Sequence, residues 1–159
     1  MRDTDIKAVI VSDDPHLQGI PIPANITVRK NILYSEYLTL LEKSRFVVVP
    51  LKKLLKSTGQ VVILEAMALG KPVIATETVG TLDYIENDIT GILVPPGDQG
   101  ALRKAIYCLI RSPSLEEDLG RNGLEKVRRD HTFESYVGRI LLAAGELVRK
   151  VQPNMREVL

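Results

Sequence analysis

The chain of 159 residues contains no tryptophan and one cysteine, and aromatic residues make up only 4% of it. Because stacking requires flat aromatic faces, this composition argues against a platform for nucleobases or polysaccharide chains. The single cysteine, Cys108, cannot form an internal disulfide, and no cluster of cysteines and histidines has the spacing of metal ligands. We therefore expect neither a disulfide-stabilised domain nor a structural metal.

Long hydrophobic runs and a strong net charge are also missing. No apolar run approaches the roughly 18 to 20 residues that a membrane-spanning helix needs. Residues 1–7 lack the apolar segment of a signal peptide. The net charge of +1 gives no electrostatic reason to expect nucleic acid or an anionic membrane as a partner. These absences favour a cytoplasmic protein with no integral membrane segment and no nucleic-acid partner.

Familiar catalytic motifs are absent as well. Neither a Walker-type loop nor a G-x-G-x-x-G fingerprint occurs, which argues against a P-loop nucleotidase and a dinucleotide enzyme. His16 and His131 have no serine, cysteine or aspartate at the spacing of a catalytic pair, so we interpret both as structural or exposed. Cys108 falls within a predicted helix and is interpreted as a small core residue.

Short apolar strands alternate with helices along the chain. The predicted strands cover residues 7–12, 26–28, 45–50, 72–76 and 91–94. Helices are predicted over 34–43, 60–70 and 82–86, and three more follow caps at Asp98, at Ser114 with Glu117, and at Thr132. This alternation predicts an α/β domain with a Rossmann-like parallel sheet and helices on both faces. We expect a single domain over 1–150 and a loose tail over 151–159.

Glu65 is the one ionisable side chain between Val61 and Gly70. The surrounding helix is apolar on every other side, which predicts a buried helix, and Gly70 is placed to follow its end. A carboxylate in that position needs hydrogen-bond partners. Two interpretations remain open: Glu65 accepts hydrogen bonds from vicinal hydroxyls of a ligand, such as a ribose diol, or it pairs within the protein.

The helix that carries Glu65 follows a strand, and ligands of open parallel sheets bind beyond the carboxyl ends of the strands. Its start is formed by Ser57, Thr58, Gly59 and Gln60. Backbone N–H groups at a helix start favour anions such as a diphosphate, and a glycine permits close approach. Positive charge lies just before this start, on Lys52, Lys53 and Lys56. The alternative is a solvated loop with an ordinary Ser/Thr cap.

Three segments carry a family resemblance. They are 44–50 (SRFVVVP), 64–76 (LEAMALGKPVIAT) and 87–98 (NDITGILVPPGD). In order and spacing they resemble the C-terminal, donor-binding domain of the GT-B glycosyltransferases of the glycosyltransferase family 4 type, and the resemblance extends over residues 6–148. It implies one half of a GT-B architecture, truncated at its N-terminus. It also implies a hexosyltransferase-type enzyme that takes a nucleotide-diphosphate sugar as its donor substrate and uses no cofactor or bound metal.

The resemblance also assigns roles to residues. Glu65 matches the second glutamate of the family motif, which binds the nucleotide ribose. The amides of Thr58, Gly59 and Gln60 correspond to those that face the diphosphate, with Lys53 and Lys56 close by. The first motif glutamate contacts the donor sugar, and its position, eight residues before Glu65, is occupied by Ser57. Ile32 and Leu33 fall where the family packs the base.

Several functions remain open on these grounds. The main hypothesis is a donor-binding domain that is inactive without an N-terminal acceptor-binding domain, supplied by a longer chain or by a partner chain. The chain would then be a fragment, a truncated product or one subunit of a split enzyme. The alternatives are a degenerate, non-catalytic nucleotide-binding or assembly domain, one half of a sugar-nucleotide epimerase, and a generic flavodoxin-like binding domain.

Overall fold

The structure, a computed structural model, describes residues 6–17, 19–52 and 59–155. Its strands are β1 (Ala8–Val11), β2 (Ile26–Arg29), β3 (Val47–Val49), β4 (Val73–Thr76) and β5 (Ile92–Val94). Its α-helices are α1 (Tyr34–Lys43), α2 (Gln60–Ala68), α3 (Val79–Leu82), α4 (Gln99–Arg111), α5 (Pro113–Asp130) and α6 (Phe133–Met155), and Pro15–Leu17 form a 3-10 turn. All five predicted strands are confirmed, and α1 has the predicted bounds.

The chain divides into two compact units, residues 1–43 and residues 44–159. In the first unit β1 and β2 pair in parallel, with Ala8 opposite Ile26. The short, β-branched apolar run over residues 7–12 predicts a buried strand, and this prediction is wrong, because Val9 and Val11 are 48% and 45% exposed. Both members of a two-stranded sheet are edge strands, and such a small sheet has little cover on its faces.

In the second unit β3, β4 and β5 form a parallel sheet in sequence order, with β4 in the centre. All four residues of β4 are buried, as expected of a strand that is covered on both faces. Because side chains alternate along a strand, Val73 and Ala75 face one side of the sheet and Ile74 faces the other. The central strand therefore contributes to two separate cores.

Helices pack on both faces of this sheet. On one face the core combines α2 residues with residues of β3, of β4 and of the segment after α3: Val49, Ile63, Ala66, Met67, Val73, Ala75 and Ile85. On the other face the core combines α4 and α5 residues with residues of β4 and β5: Ile74, Val94, Ala105, Leu109 and Leu119. The predicted α/β class, with a parallel sheet between two helical layers, is confirmed.

The predicted helix caps are confirmed at two positions. The Asp98 carboxylate accepts a hydrogen bond from the N–H of Ala101 at 2.8 Å, at the start of α4. The Thr132 hydroxyl accepts one from the N–H of Ser135 at 3.2 Å, at the start of α6. A side-chain acceptor at each position satisfies an amide that the helix itself leaves unpaired.

Two other boundary predictions are wrong. The cap of α5 is Ser112 instead of Ser114, and the Ser112 hydroxyl accepts a hydrogen bond from the Leu115 N–H. The helix begins at Pro113, because proline has no N–H that would need an acceptor at the first helical position. The short helix predicted over 82–86 instead covers Val79–Leu82. It begins earlier because Thr78 and Thr81 form a capping box.

The last helix, α6, continues to Met155 and so enters the segment 151–159 that was expected to be a loose tail. Residues 156–159 lie outside the described part of the chain. The division into a domain over 1–150 and a tail stays a prediction. Among the described residues, no helix combines the length and the apolar character needed to cross a membrane.

Candidate functional site

The carboxyl ends of β3, β4 and β5 lie at one edge of the sheet, since the strands are parallel. The connection after β3 leads into α2, the connection after β4 leads into α3, and the connection after β5 leads into α4. Helix starts therefore gather at this carboxyl edge. It is where ligands of open parallel sheets bind.

Gly59 begins α2 in a left-handed conformation, with φ of 81°. A Cβ atom built on this glycine would lie 3.1 Å from Val49 Cγ1 and 3.2 Å from Leu51 Cδ2. Both the dihedral angle and the lack of space therefore require glycine at this position. Its carbonyl accepts a hydrogen bond from the Ile63 N–H at 3.0 Å, so the helix is formed from its first turn.

The first N–H groups of a helix have no carbonyl partner within the helix, and they carry the positive end of its dipole. In α2 these groups follow Gly59, a residue without a side chain, and Gln60 is the first helical residue. The arrangement suits a bound anion at the start of α2. Ser57, Thr58, Lys53 and Lys56, which were predicted to take part, lie outside the described residues.

Glu65 lies in the second turn of α2 and is partly buried. The residues one turn away on the same side, Val61 and Leu69, are exposed, whereas Ile63 and Met67 on the opposite side are fully buried. The predicted helix, buried all round, is therefore wrong in this respect. One side of α2 packs on the sheet and on α5, and the side that carries Val61, Glu65 and Leu69 is the more exposed one.

Glu65 stands five residues after Gln60, which is about 7.5 Å along the helix axis. A carboxylate accepts hydrogen bonds from hydroxyl groups, while the amides at the helix start donate to phosphate oxygens. The two kinds of group are separated by a distance that one nucleoside diphosphate spans. The predicted pair of Glu65 and Gly59 thus lies on one helix in a chemically consistent order.

Hydroxyl groups hold the carboxyl edge together. Thr76, at the end of β4, accepts a hydrogen bond from the Leu51 N–H at 2.9 Å. Thr81, which is fully buried, donates to the Thr76 carbonyl at 2.9 Å and accepts from the Thr78 N–H at 2.8 Å. Sequence reasoning missed these threonines as parts of the site. The available signal was three threonines within six residues, beginning with the last residue of a buried strand.

In the first unit, Ile32 and Leu33 follow the carboxyl end of β2. The preceding residue, Asn31, has a positive φ of 49°, and its N–H donates to the Asp13 carboxylate at 3.0 Å. Ile32 is partly buried and Leu33 is 74% exposed. Leu33 therefore presents an apolar surface to solvent, and the assignment of both residues to a base stays a prediction.

A groove of about 470 Å³ lies at the opposite, amino edge of the sheet. Its walls include Arg45 and Glu116, whose side chains form a two-pronged ion pair with an Nε–Oε2 distance of 3.1 Å. This pair raises the pKa of the Arg45 guanidinium, chiefly through its hydrogen bonds to Glu116. Both charges are therefore engaged with each other, and the groove is away from the predicted site.

Within the described ranges, no three His, Cys, Asp or Glu side chains come together in an arrangement that could hold a metal ion. Cys108 is exposed, so its interpretation as a core residue is wrong. It occupies the solvent side of α4, whose buried residues are Ala105 and Leu109.

The chain is similar in sequence to a known protein family and to individual members of known function. Residues 1–112 match the profile of the family described as "Glycosyl transferases group 1". The capsular polysaccharide biosynthesis glycosyltransferase CapM of Staphylococcus aureus is 40% identical over 76 residues, which are 48% of this chain and 20% of that protein. The chain thus spans about a fifth of the length of this relative.

Two solved structures are also similar to this chain. Sucrose-phosphate synthase from Thermosynechococcus elongatus is 35% identical with a TM-score of 0.61, over 81% of this chain and 31% of that one. A glycosyltransferase from Rickettsia africae has a TM-score of 0.69 over 91% of this chain and 40% of that one, and at 21% identity this likeness shows the fold alone. From the profile match over residues 1–112, the chain belongs to the glycosyl transferases group 1 family.

Proposed function

We propose that this chain is the donor-binding part of a glycosyltransferase, corresponding to the C-terminal half of a GT-B architecture. It binds a nucleotide-diphosphate sugar at the carboxyl edge of the β3–β4–β5 sheet. The observation that carries the proposal is the structure of α2, in a chain of this family: a glycine in a left-handed conformation at its start and one carboxylate, Glu65, on its exposed side.

Each group has a role in this proposal. Glu65 accepts hydrogen bonds from the ribose hydroxyls, and the amides of the first turn of α2 bind the diphosphate. These amides stabilise the negative charge that develops on the departing diphosphate, which is the main catalytic contribution expected of such a site. Lys53 and Lys56, close before α2 in the sequence, add positive charge, and the hydroxyls of Ser57 and Thr58 add further donors.

The names of related proteins support a sugar-transfer function. A relative from Mycobacterium leprae, 39% identical over 69 residues, is a phosphatidyl-myo-inositol mannosyltransferase. Anabaena HepE, which shares the fold at 20% identity and a TM-score of 0.61, has been solved in complex with UDP-glucose. The name of the first protein states a sugar transfer, and the structure of the second shows that this fold can hold a nucleotide sugar.

The acceptor-binding groups are proposed to come from polypeptide outside this chain, either an N-terminal domain or a partner chain. Residues 1–150 would then act as one donor-binding domain. The support is coverage, since the chain matches 31% of the Thermosynechococcus enzyme and 20% of CapM. We expect the 159-residue chain alone to bind the donor and to show negligible sugar transfer.

Isothermal titration calorimetry with UDP, GDP and ADP tests the proposal. We expect one of the three to bind, and Glu65→Gln to weaken its binding about tenfold through the loss of charge-assisted hydrogen bonds. Glu117→Gln is the matched control, because Glu117 is exposed on α5 beside the groove at the opposite edge. Absence of heat with all three nucleotides would contradict the proposal, as would equal affinity of the wild type and Glu65→Gln.

A non-catalytic nucleotide-binding domain is a second candidate, favoured by Ser57 at the position where the family motif has the sugar-contacting glutamate. In that case UDP and UDP-glucose should bind equally, because the contact to the sugar is missing. Ser57→Glu should then restore a preference for the nucleotide sugar. A wild-type chain that already prefers the nucleotide sugar would exclude this candidate.

A further inference from the structure

We propose that Thr76 is a positioning residue for nucleotide binding, acting through Leu51 on the start of α2. Its hydroxyl holds the segment that follows β3, and this segment in turn holds Gly59. The inference rests on the proposed function, in which the first turn of α2 binds a diphosphate. It assigns a role to a buried residue that acts through its neighbours.

A hydrogen bond joins Thr76 to Leu51 just beyond the end of the ladder between β3 and β4. The ladder between β3 and β4 ends with Val49 opposite Ala75. Two residues further on, the Leu51 N–H donates to the Thr76 hydroxyl at 2.9 Å, and Thr76 is only 5% exposed. A side chain therefore takes over where the main-chain ladder stops, and it prolongs the attachment of this segment to β4.

Leu51 in turn lies beside Gly59. The two methyl groups of Leu51 lie 3.2 and 3.3 Å from the point where a Cβ of Gly59 would stand. Leu51 therefore lies beside the backbone of Gly59, and we expect a shift of Leu51 to displace that backbone or to open a gap beneath it. Since Gly59 sets the direction in which α2 begins, its displacement would redirect the amides of the first turn.

Thr76 is itself held in place. Its carbonyl accepts the hydrogen bond of the fully buried Thr81 hydroxyl at 2.9 Å. The next residue, Glu77, donates its N–H to the Val94 carbonyl at 2.8 Å, which attaches the same turn to β5. The backbone of Thr76 is therefore fixed from two sides, and the start of α2 is preorganised before a nucleotide arrives.

The chain offers a matched control for a purely structural role. Thr90 is 4% exposed, and its hydroxyl accepts a hydrogen bond from the Glu86 N–H at 2.9 Å. It precedes β5 and so lies at the amino edge, away from the start of α2. Thr76→Val and Thr90→Val remove the same kind of bond from equally buried sites, and they should lower the stability to unfolding to a similar extent.

The first test compares affinities for whichever of UDP, GDP and ADP the wild type binds. We expect Thr76→Val to raise the Kd about five- to tenfold, the equivalent of one lost hydrogen bond, and Thr76→Ser to restore it. Thr90→Val should leave the Kd within about twofold of the wild type. Unchanged affinity in Thr76→Val, or an equal loss in Thr90→Val, would overturn the inference.

A second test uses only the wild type, so it does not depend on a variant that folds. If the Leu51–Thr76 bond supports nucleotide binding, the nucleotide must stabilise that bond by the same free energy. Amide hydrogen exchange should therefore slow more at Leu51 than at Glu86 when nucleotide is added. Equal slowing at both amides contradicts the role of Thr76 while leaving the proposed function intact, whereas a wild type that binds no nucleotide removes both.

Discussion

Gly120 of α5 packs directly against the carbonyl oxygen of Gly70, the residue that follows the end of α2. A methyl group added to Gly120 would overlap with that oxygen. The two helices can approach this closely because neither backbone carries a side chain at the crossing. Gly70 has a positive φ of 66°, so the predicted glycine after the helix end is confirmed.

Gly120→Ala should therefore lower the free energy of unfolding by at least about 2 kcal/mol, because the obstacle is backbone and cannot rotate away. Gly138→Ala in α6 is the matched control, since its Cβ would meet nothing within 4 Å. That change should raise stability by about 0.5–1 kcal/mol through helix propensity. Urea denaturation of both variants measures the difference, and equal stabilities would show that the close packing is absent in solution.

Gly59→Ala should cost more stability than Gly97→Ala. Both glycines have a left-handed backbone, with φ of 81° and 76°, and this conformation alone costs a non-glycine residue about 1–2 kcal/mol. A Cβ at Gly97 meets nothing within 4 Å, whereas one at Gly59 presses on Val49 and Leu51. The excess loss at Gly59 in urea denaturation reports that contact. A larger loss at Gly97 would contradict the close packing of Gly59 against Val49 and Leu51.

The position of the α5 cap is testable with two serines. Ser112→Ala should lower stability by about 1 kcal/mol, since it removes the acceptor for the Leu115 N–H. Ser114→Ala should change stability by less than about 0.5 kcal/mol, although its hydroxyl lies 3.3 Å from that of Ser112. Thermal unfolding of both variants distinguishes them. A larger loss of stability in Ser114→Ala than in Ser112→Ala would instead support Ser114 as the cap, as the sequence predicts.

His131 should make stability depend on pH. Its ring stacks on Tyr84 with 5.1 Å between centroids, and its Nε2 is buried with no hydrogen-bond partner among the described residues. Burial lowers the pKa of His131; the nearby Asp130 opposes this shift, and Lys126 and Arg139 add to it. Because the unfolded chain takes up the proton first, stability is complete above the ordinary histidine pKa of about 6.5 and falls as the pH decreases below it.

His131→Phe keeps an aromatic ring against Tyr84 and removes the titrating group. We expect chemical denaturation between about pH 7 and 5 to show a shallower loss of stability in this variant than in the wild type. The lowered pKa of Glu86, caused chiefly by its hydrogen bond to Lys126, acts at more acidic pH and is common to both proteins. Identical slopes in the two proteins would show that His131 keeps its ordinary pKa when folded.

The order of strands and helices could be predicted from sequence because each strand is a short β-branched run and each long helix shows its own apolar stripe or cap. The orientation of α2 could not. Its residues are apolar on nearly every side, so the pattern does not distinguish the buried Met67 from the exposed Val61. Packing on the sheet and on α5 decides that orientation, and neither is visible in a local window.

The candidate site, too, could be predicted from sequence only in part. Glu65 stood out because it is the single charge in its helix, and Gly59 because a glycine at a helix start permits a close approach. Thr76 did not stand out, because its partner Leu51 is 25 residues away and the bond exists only in the observed register of β3 and β4. Pairings of this kind follow from the assembled sheet and not from spacing along the chain.

The sequence order of the three-stranded sheet also bears on how it forms. Val47 pairs with Val73 and Ile74 with Ile92, so each strand joins the one made just before it, across roughly 26 and 18 residues. The difference in loop-closure entropy between these two distances is only about 0.3 kcal/mol. Loop closure therefore favours neither pairing clearly over the other as the first to form, although α2 lies in one connection and α3 in the other.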